Sequence, residues 1–569
     1  MPILDENRII LTIAGGFGVT AGLLWAGRRY LRRKKLQNAV DERLQMRDKL
    51  IEITKLRLLY TPENTRAEIQ ALSYGELKEA LQSQKYTALQ VLHAYQETAL
   101  KVHEKTNCLT DLVFEAEDWA KEIDVEVKNG HIDRYPLYGI PFSDKESLPL
   151  KGYYSTSGYA ANLLKDRAEV DQVSVAILRE KGAIPFARTN APQTLFSYGC
   201  CNPIYGRTTN FHNPDRTPGG SSGGDAALLA GKGACFGVGS DIAGSIRLPA
   251  HFSGVYGLKP SSLRISNWRG IPFNPGRAHV FGTCGPLAIN LQAIVDVMRV
   301  LCNEPDRDPL VVPIPWAPTT KPKLRIGWFD SCDWYPTVPA VNRAVNEARK
   351  RLEAAGHELV PFEIPGLDEG LALNMAACMN DNAYDVVSDI TADLPNPDDV
   401  DFHFTLSLPK MLRVPYLLLR NDARNLSMLN SIPRNISQVH ALYAKLTVYR
   451  RRVLTEWHEN GLDAVLCPPC ASVATRPHQT MQVHGVFTYT AVFNLLDLPG
   501  GVLPITKVTD QDVHDCANNY PVIDRSGQIV KETNSAQSSV GLPVGVQVVA
   551  LPYREEMVLR VMEEIDKTN

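Results

Sequence analysis

The chain lacks the cysteine pattern of a disulfide framework. Its eleven cysteines are odd in number and scattered, which suits a reducing compartment better than a secreted, bridged fold. Cys467-Pro-Pro-Cys470 stands alone, with no second pair at zinc spacing, so it reads as buried thiols and not as a metal site. A dominant charge is also missing: 60 Lys and Arg oppose 63 Asp and Glu, a net charge of −3. That balance gives no global attraction to nucleic acid. No Gly-Lys-Ser/Thr completes the glycine-rich loop at 219–224, which argues against a phosphate-binding loop. From about residue 70 onward there is no simple repeat and no Pro- or Gly-rich linker. One large α/β domain is the simplest account of the body of this 569-residue chain, whose 44% hydrophobic content can fill a sizeable core.

What is present begins at the N-terminus. Residues 9–27 carry no charge over 19 positions, enough to span a bilayer at about 1.5 Å per residue. Arg28, Arg29, Arg32, Arg33, Lys34 and Lys35 follow at once, whereas only Asp5, Glu6 and Arg8 precede. A cleaved signal peptide would carry its positive charge before the apolar run. The positive-inside rule therefore predicts a single-pass anchor, residues 1–8 outside and the body in the cytoplasm. Ala14, Gly18, Gly22 and Ala26 recur every four residues, a face that could let two such helices approach closely. Leu36 to Tyr60 has helical periodicity and reads as an arm within a 28–70 connecting segment. Thr61-Pro-Glu-Asn breaks it, and Ser73 with Glu76 forms a capping box that opens the catalytic domain, 71–569.

Within the body, Leu72–Leu81, Leu89–Lys101 and Val338–Ala355 are predicted as helices. Ala183–Ala187, Cys235–Val238, Leu324–Trp328, Ala464–Cys467 and Val544–Val549 are predicted as strands, with Pro185 weakening the first. Asp510 to Val530 is polar and turn-rich and reads as a surface insertion. Leu406–Leu419 mixes apolar and basic residues around two prolines; such a segment can lie in a membrane interface with Lys410, Arg413 and Arg420 at the headgroups. An ordinary buried helix pair is the alternative.

The chemistry is carried by Gly-Ile-Pro-Phe-Ser-Asp-Lys145-Glu, by Gly-Gly-Ser221-Ser-Gly-Gly and by Asp-Ile-Ala-Gly-Ser245-Ile-Arg-Leu-Pro-Ala. A serine hydroxyl is a weak nucleophile at neutral pH and needs a base within reach. His212 and His251 sit in no matching motif. A lysine can be that base if burial keeps it neutral, and a second serine can relay the proton. Lys145, Ser221 and Ser245 suit this arrangement. Asp241 to Ser245 is small enough to turn successive N–H groups inward as an oxyanion hole. Asp241 and Arg247 could pair to hold that loop.

These three motifs occur in the order and at spacings compatible with the amidase signature family, which the chain resembles from about residue 70. Thr189-Asn-Ala-Pro-Gln-Thr-Leu-Phe-Ser-Tyr, Cys201-Asn-Pro-Ile-Tyr-Gly, Tyr256-Gly-Leu-Lys-Pro and Gly541-Leu-Pro-Val-Gly-Val-Gln-Val-Val-Ala-Leu-Pro look like its fatty acid amide hydrolase branch. The resemblance implies an α/β fold with a twisted mixed β-sheet covered by many helices, an N-terminal transmembrane helix and a membrane-binding cap at about 402–433. It implies a cis peptide at Gly220–Ser221. It implies that Lys145 takes a proton through Ser221, that Ser245 attacks the amide, and that the N–H groups of Ile242, Ala243, Gly244 and Ser245 hold the oxyanion. Leu195 and Phe196 match positions lining the acyl site, and Met428 and Ile432 could reach the same channel. A lipid amide substrate, a membrane (the endoplasmic reticulum among internal ones) and a homodimer are expected; a cofactor, a metal and nucleic acid are not. Two departures stand out: Ala243 replaces a usual glycine, and Asp144 puts a carboxylate where an uncharged residue is common. A glutaminase-type amidotransferase subunit acting on a small polar amide and a non-catalytic membrane scaffold are the competing readings.

Overall fold

The computed structural model describes residues 3–567 except 271–278, 281, 382 and 409. Thirteen strands occur among them: β1 Leu109–Leu112, β2 Pro141–Lys145, β3 Ile184–Thr189, β4 Cys201–Asn202, β5 Gly206–Arg207, β6 Phe236–Asp241, β7 Tyr256–Lys259, β8 Thr283–Ala288, β9 Arg325–Trp328, β10 Glu358–Pro361, β11 Ala464–Cys467, β12 Gly500–Lys507 and β13 Pro543–Ala550. Eleven of them form one mixed sheet in the order β1-β3-β2-β6-β8-β7-β12-β13-β11-β9-β10, and β4 and β5 form a separate hairpin. Helices cover the sheet, so β2, β3, β11 and β13 are buried along their whole length. This is the expected α/β architecture of a mixed sheet inside a helical coat.

The centre of the sheet positions the site. β2 lies between β3 and β6 and is parallel to both, with Ser143 opposite Gly237 and Asp144 opposite Val238. Lys145 and Ser240 therefore finish at one edge, the carboxyl-end edge where α/β sheets commonly bind ligands. Alternation along β2 sends Ser143 and Lys145 to one face and Phe142 and Asp144 to the other. Phe142 stacks on Phe236 of β6 at 4.9 Å between ring centroids, and both rings are buried. Pro185 is accommodated in the interior strand β3 by a register shift against β2: Phe142 faces Pro185, but the next residue, Ser143, faces Ala187.

The polar stretch 510–530 is not a loop insertion. It forms the helices Asp510–Asn519 and Arg525–Asn534. Thr509 and Asp524 cap them by accepting from the N–H groups of Asp512 and Gly527. Their buried sides are short, since Val513, Cys516 and Val530 supply most of the apolar contact. A pattern read on hydrophobic periodicity underweights such helices, in which capping does much of the ordering.

At the N-terminus the backbone is one helix, Ile3–Arg57. Among the described residues no helix is long and apolar enough to cross a membrane. The side chains of the expected span lie outside the described residues as far as residue 25, and with them most of the Ala14–Gly18–Gly22–Ala26 face. Beyond it the arm is docked on the body. Leu36 and Val40 are buried with Ala160, Leu163, Ile204, Tyr205 and Leu394. Arg43 is buried too, donating to the Asp111 carboxylate, to Tyr205 Oη at 3.1 Å and to the Thr110 carbonyl at 3.1 Å. The helix ends in a turn at Leu58–Tyr60, Thr61-Pro62 breaks it, and Ser73 with Glu76 makes the expected capping box before Tyr74–Gln82.

Removing one member of a buried ion pair leaves the other charge without compensation, at a cost of about 3–5 kcal/mol. Arg43→Ala is therefore expected to destabilise the chain by an amount of that order and to speed protease cleavage around residues 58–62, with Arg43→Met/Asp111→Leu recovering most of the loss. Unchanged unfolding and cleavage in Arg43→Ala would show that the arm is not held there.

Candidate active site

Lys145 is fully buried at the end of β2, and its Nζ lies 2.6 Å from Ser221 Oγ and 2.9 Å from Ser240 Oγ. Among the described residues no carboxylate forms an ion pair with it. Burial is the largest influence on the amine and lowers its pKa to about 8, against the smaller opposing pull of Asp225. Asp144 does not counteract this at close range. It points to the opposite face of β2 and pairs with Arg188 at 3.1 Å. Burial pushes the Asp144 carboxyl up to about 7, the Arg188 guanidinium opposing.

Ser221 follows the cis Gly220–Ser221 bond that the resemblance implies. The next residue ties this loop to the other motif: Ser222 N–H donates to the Ser245 carbonyl at 3.1 Å, and Ser240 N–H donates to Ser222 Oγ at 3.3 Å. Ser245 lies at a cavity that Gly220 also lines. The structure thus puts Lys145 and Ser221 in direct contact and joins the Ser221 loop to the main chain of Ser245.

The loop between Asp241 and Arg247 is held by a buried polar cluster. Asp241 accepts from the N–H groups of Gly244 at 2.8 Å and Ile246 at 3.0 Å, from Arg247 Nε at 3.0 Å and from Asn494 Nδ2 at 2.9 Å. Arg247 also donates to the Thr490 carbonyl at 3.1 Å and to Gln547 Oε1 at 2.8 Å. Burial alone would raise the Asp241 carboxyl, but the Arg247 guanidinium more than offsets this and holds it well below the usual carboxylate range. The expected Asp241–Arg247 pair is therefore present, and Asp241 already takes one of the four N–H groups that the resemblance assigns to the oxyanion. Gly244 N–H is committed to Asp241, which leaves Ile242, Ala243 and Ser245 as donors with no such commitment among the described residues. Gly244 is needed for its shape. Its φ is +127°, and a Cβ there would stand 2.4 Å from Thr490 Oγ1. Ala243, where glycine is usual, keeps a negative φ and tolerates its methyl, and its carbonyl accepts from Thr490 Oγ1 at 2.8 Å.

The cavity at Ser245 is walled by Leu195, Phe196, Tyr198, Ile242, Ala243, Leu248, Met481 and Phe487. Thr194 and Leu195 both have left-handed backbone, φ +72° and +60°, an unusual pairing for non-glycine residues that carries Leu195 to the cavity. A second cavity, lined by Met375, Leu417, Met428 and Leu429 and by the polar Asp401, Thr405, Arg420, Asp422 and Gln482, shares Met481 and His484 with the first. Met428 lines this second cavity and not the one at Ser245; Ile432 is buried and is not among the residues lining either.

Several of these residues escape sequence reasoning. Ser240 carries no signal of its own beside the motif aspartate. Asp225, which accepts from Ser143 Oγ at 2.7 Å on the face of β2 that bears Lys145, sits in a glycine run that draws attention to its serines. Met481, His484 and Phe487 arrive from a distant segment with no motif. The two histidines noted in the sequence, His212 and His251, do not line the cavity at Ser245. His251 accepts from Gly545 N–H at 3.0 Å and donates to the Ser472 carbonyl at 3.1 Å, and His212 contacts the Ser253 carbonyl at 3.0 Å.

A buried amine with a lowered pKa, two serines on loops tied together and a largely apolar cavity at one of them are groups that hydrolytic chemistry can use. A family model described as Amidase matches residues 90–559, and the chain belongs to the amidase family; it is an amide-hydrolysing enzyme. It is 36% identical over 513 residues to fatty acid amide hydrolase 1 of Caenorhabditis elegans, covering 88% of each chain. It is 33% identical to fatty-acid amide hydrolase 1 of Sus scrofa, covering 96% of this chain and 94% of that one. Among solved structures, a fatty acid amide hydrolase superposes with a TM-score of 0.75 at 24% identity, over 95% of this chain and 94% of that one.

If Lys145 must be neutral to accept a proton, activity follows its deprotonated fraction. With the amine at about pH 8, kcat/KM for an amide is expected to rise about tenfold per pH unit below 8 and to level off above it. A profile flat from pH 6 to 9 would remove Lys145 as the titrating base.

Proposed function

We propose that the chain is a membrane-bound serine hydrolase that cleaves fatty acid amides, such as acyl ethanolamides and primary fatty amides, to free fatty acid and amine. The observation that carries this reading is the largely apolar cavity at Ser245, walled by Leu195, Phe196, Ile242, Leu248, Met481 and Phe487. A small polar amide would leave most of that wall unused.

In the proposed mechanism the Ser221 hydroxyl donates its proton to the neutral Nζ of Lys145 while it accepts one from Ser245. Ser240 fixes the amine by accepting one of its N–H bonds. Ser245 Oγ attacks the amide carbonyl, and the oxyanion turns toward the N–H groups of Ile242, Ala243 and Ser245. Loss of one such donor typically costs about 10²–10³ in rate. The proton then returns from Lys145 through Ser221 to the leaving nitrogen. This step matters for an amide far more than for an ester, because an amine leaves poorly unprotonated. Water hydrolyses the acyl-enzyme by the same relay. The acyl chain lies along Leu195, Phe196 and Ile242.

The membrane reading is supported by the uncharged stretch 9–27 with its following basic block, and by the helices Val400–Ser407 and Lys410–Leu419. On these helices Phe404, Met411, Leu412, Leu418 and Leu419 are all more than half exposed. The anchor passes once, with the catalytic body on the cytoplasmic side. A lipid amide could then move from bilayer to Ser245 without crossing water.

The test is a panel of acyl amides of graded chain length, with matched esters. Catalytic efficiency should climb with chain length, and Lys145→Ala should cut amide turnover by at least ten times more than ester turnover. Preference for acetamide-sized substrates would overturn the lipid reading, and equal losses on amide and ester would overturn the role of Lys145 as leaving-group acid.

A further inference from the structure

Four arginines at the start of the arm, Arg28, Arg29, Arg32 and Arg33, fall on one helical face by their i, i+1, i+4, i+5 spacing. They line a cleft whose opposite wall is the helix Tyr384–Ala392 with Asp393. A fifth guanidinium, that of Arg413, enters the same cleft from the helix Lys410–Leu419. The cleft holds its shape because the arm is docked. Arg32 Nε donates to the Ala392 carbonyl at 2.8 Å, and the same stripe further along buries Leu36, Val40 and Arg43. Asp393 is the one carboxylate among the described lining residues, and its oxygens accept from Leu394 N–H at 2.8 Å, Ala161 N–H at 3.2 Å and Gln193 Nε2 at 3.3 Å. Lys34 and Lys35, next on the arm, are exposed and do not line the cleft.

Five guanidinium groups from two distant segments, facing one engaged carboxylate, make a site for a polyanion. The planar, multi-donor guanidinium suits phosphate oxygens. We infer that this cleft binds the phosphate-bearing headgroup of an anionic phospholipid. Two features favour a lipid as the source of that phosphate. The uncharged stretch 9–27 ends at the first of the arginines. The helix that supplies Arg413 also carries the exposed Met411, Leu412, Leu418 and Leu419. The inference rests on the membrane reading above. It adds that arm and cap are bridged by one lipid, so that the arm sets the height of the cap against the headgroups.

The test uses the full chain in neutral-detergent micelles doped with phosphatidylserine or with phosphatidylcholine, bound lipid being counted by native mass spectrometry. Retention of phosphatidylserine about tenfold or more above phosphatidylcholine is expected. Arg28→Gln/Arg32→Gln should abolish the preference. Arg413→Gln, which removes one charge, should weaken it more than Lys34→Gln/Lys35→Gln, which removes two. All variants should keep the wild-type rate on a soluble ester. Equal retention of both lipids, or a loss in the lysine variant as large as in Arg413→Gln, would overturn the site in favour of diffuse attraction. Displacement of phosphatidylserine by inorganic phosphate at constant ionic strength would make it a site for the free anion and overturn the lipid assignment. Carbonate extraction of cell membranes separates the two readings: a chain released by carbonate loses its membrane span, whatever the micelles show.

Discussion

Burial of the Lys145 amine is the constraint on which the rest of the centre depends. In water the amine would be charged at neutral pH and useless as a base. Here desolvation lowers it to about 8, so that about a tenth is neutral at pH 7. Its two close partners are hydroxyls, from Ser221 and Ser240, which accept from an ammonium and from an amine alike and do not lock in the charge as a carboxylate would. The one carboxylate adjacent in sequence, Asp144, is turned through the sheet to Arg188 by the alternation of β2. A strand with Lys and Asp as neighbours thus serves two unrelated tasks on its two faces.

The second requirement is a rigid frame for the nucleophile loop. The stretch from Asp241 to Ser245 must be held in one shape beside the cavity that Ile242, Ala243 and Ser245 line. Asp241 does this by taking the N–H of Gly244 and of Ile246, while Arg247 links Asp241 to Thr490, Asn494 and Gln547 on other elements. The carboxylate is strongly favoured in its charged form, so the frame persists well into acid. Parallel pairing of β2 with β6 puts this loop beside the lysine, and the Ser222 N–H bond to the Ser245 carbonyl ties the Ser221 loop to it.

Much of this was legible in the residues. Lys145, Ser221, Ser245, the Asp241–Arg247 pair and the Ser73 capping box each have a local physical signature: a base without a histidine, glycines around a serine, opposite charges six residues apart, a cap before an apolar run. The strands read from β-branched runs lie within one to three residues of their places. What was not legible depends on distant chain. Ser240 and Asp225 matter because β6 and the helix Gly223–Ala230 both lie against β2. Met481, His484 and Phe487 reach the cavity across more than two hundred residues of sequence, without a pattern to announce them. The helices at 510–534 are set by caps and a few contacts more than by an apolar stripe. The spare role of Gly244, whose N–H is already used, could not be seen without Asp241 in place.

The account stands or falls on Ser245 being the atom that bonds to substrate through this relay. A fluorophosphonate probe reacted with the purified chain, followed by peptide mass spectrometry, measures that directly. A single adduct on Ser245, absent in Ser245→Ala and formed at least about a hundredfold more slowly in Lys145→Ala, is the result the account requires. An adduct on another serine, or unimpaired labelling without the lysine, would contradict it.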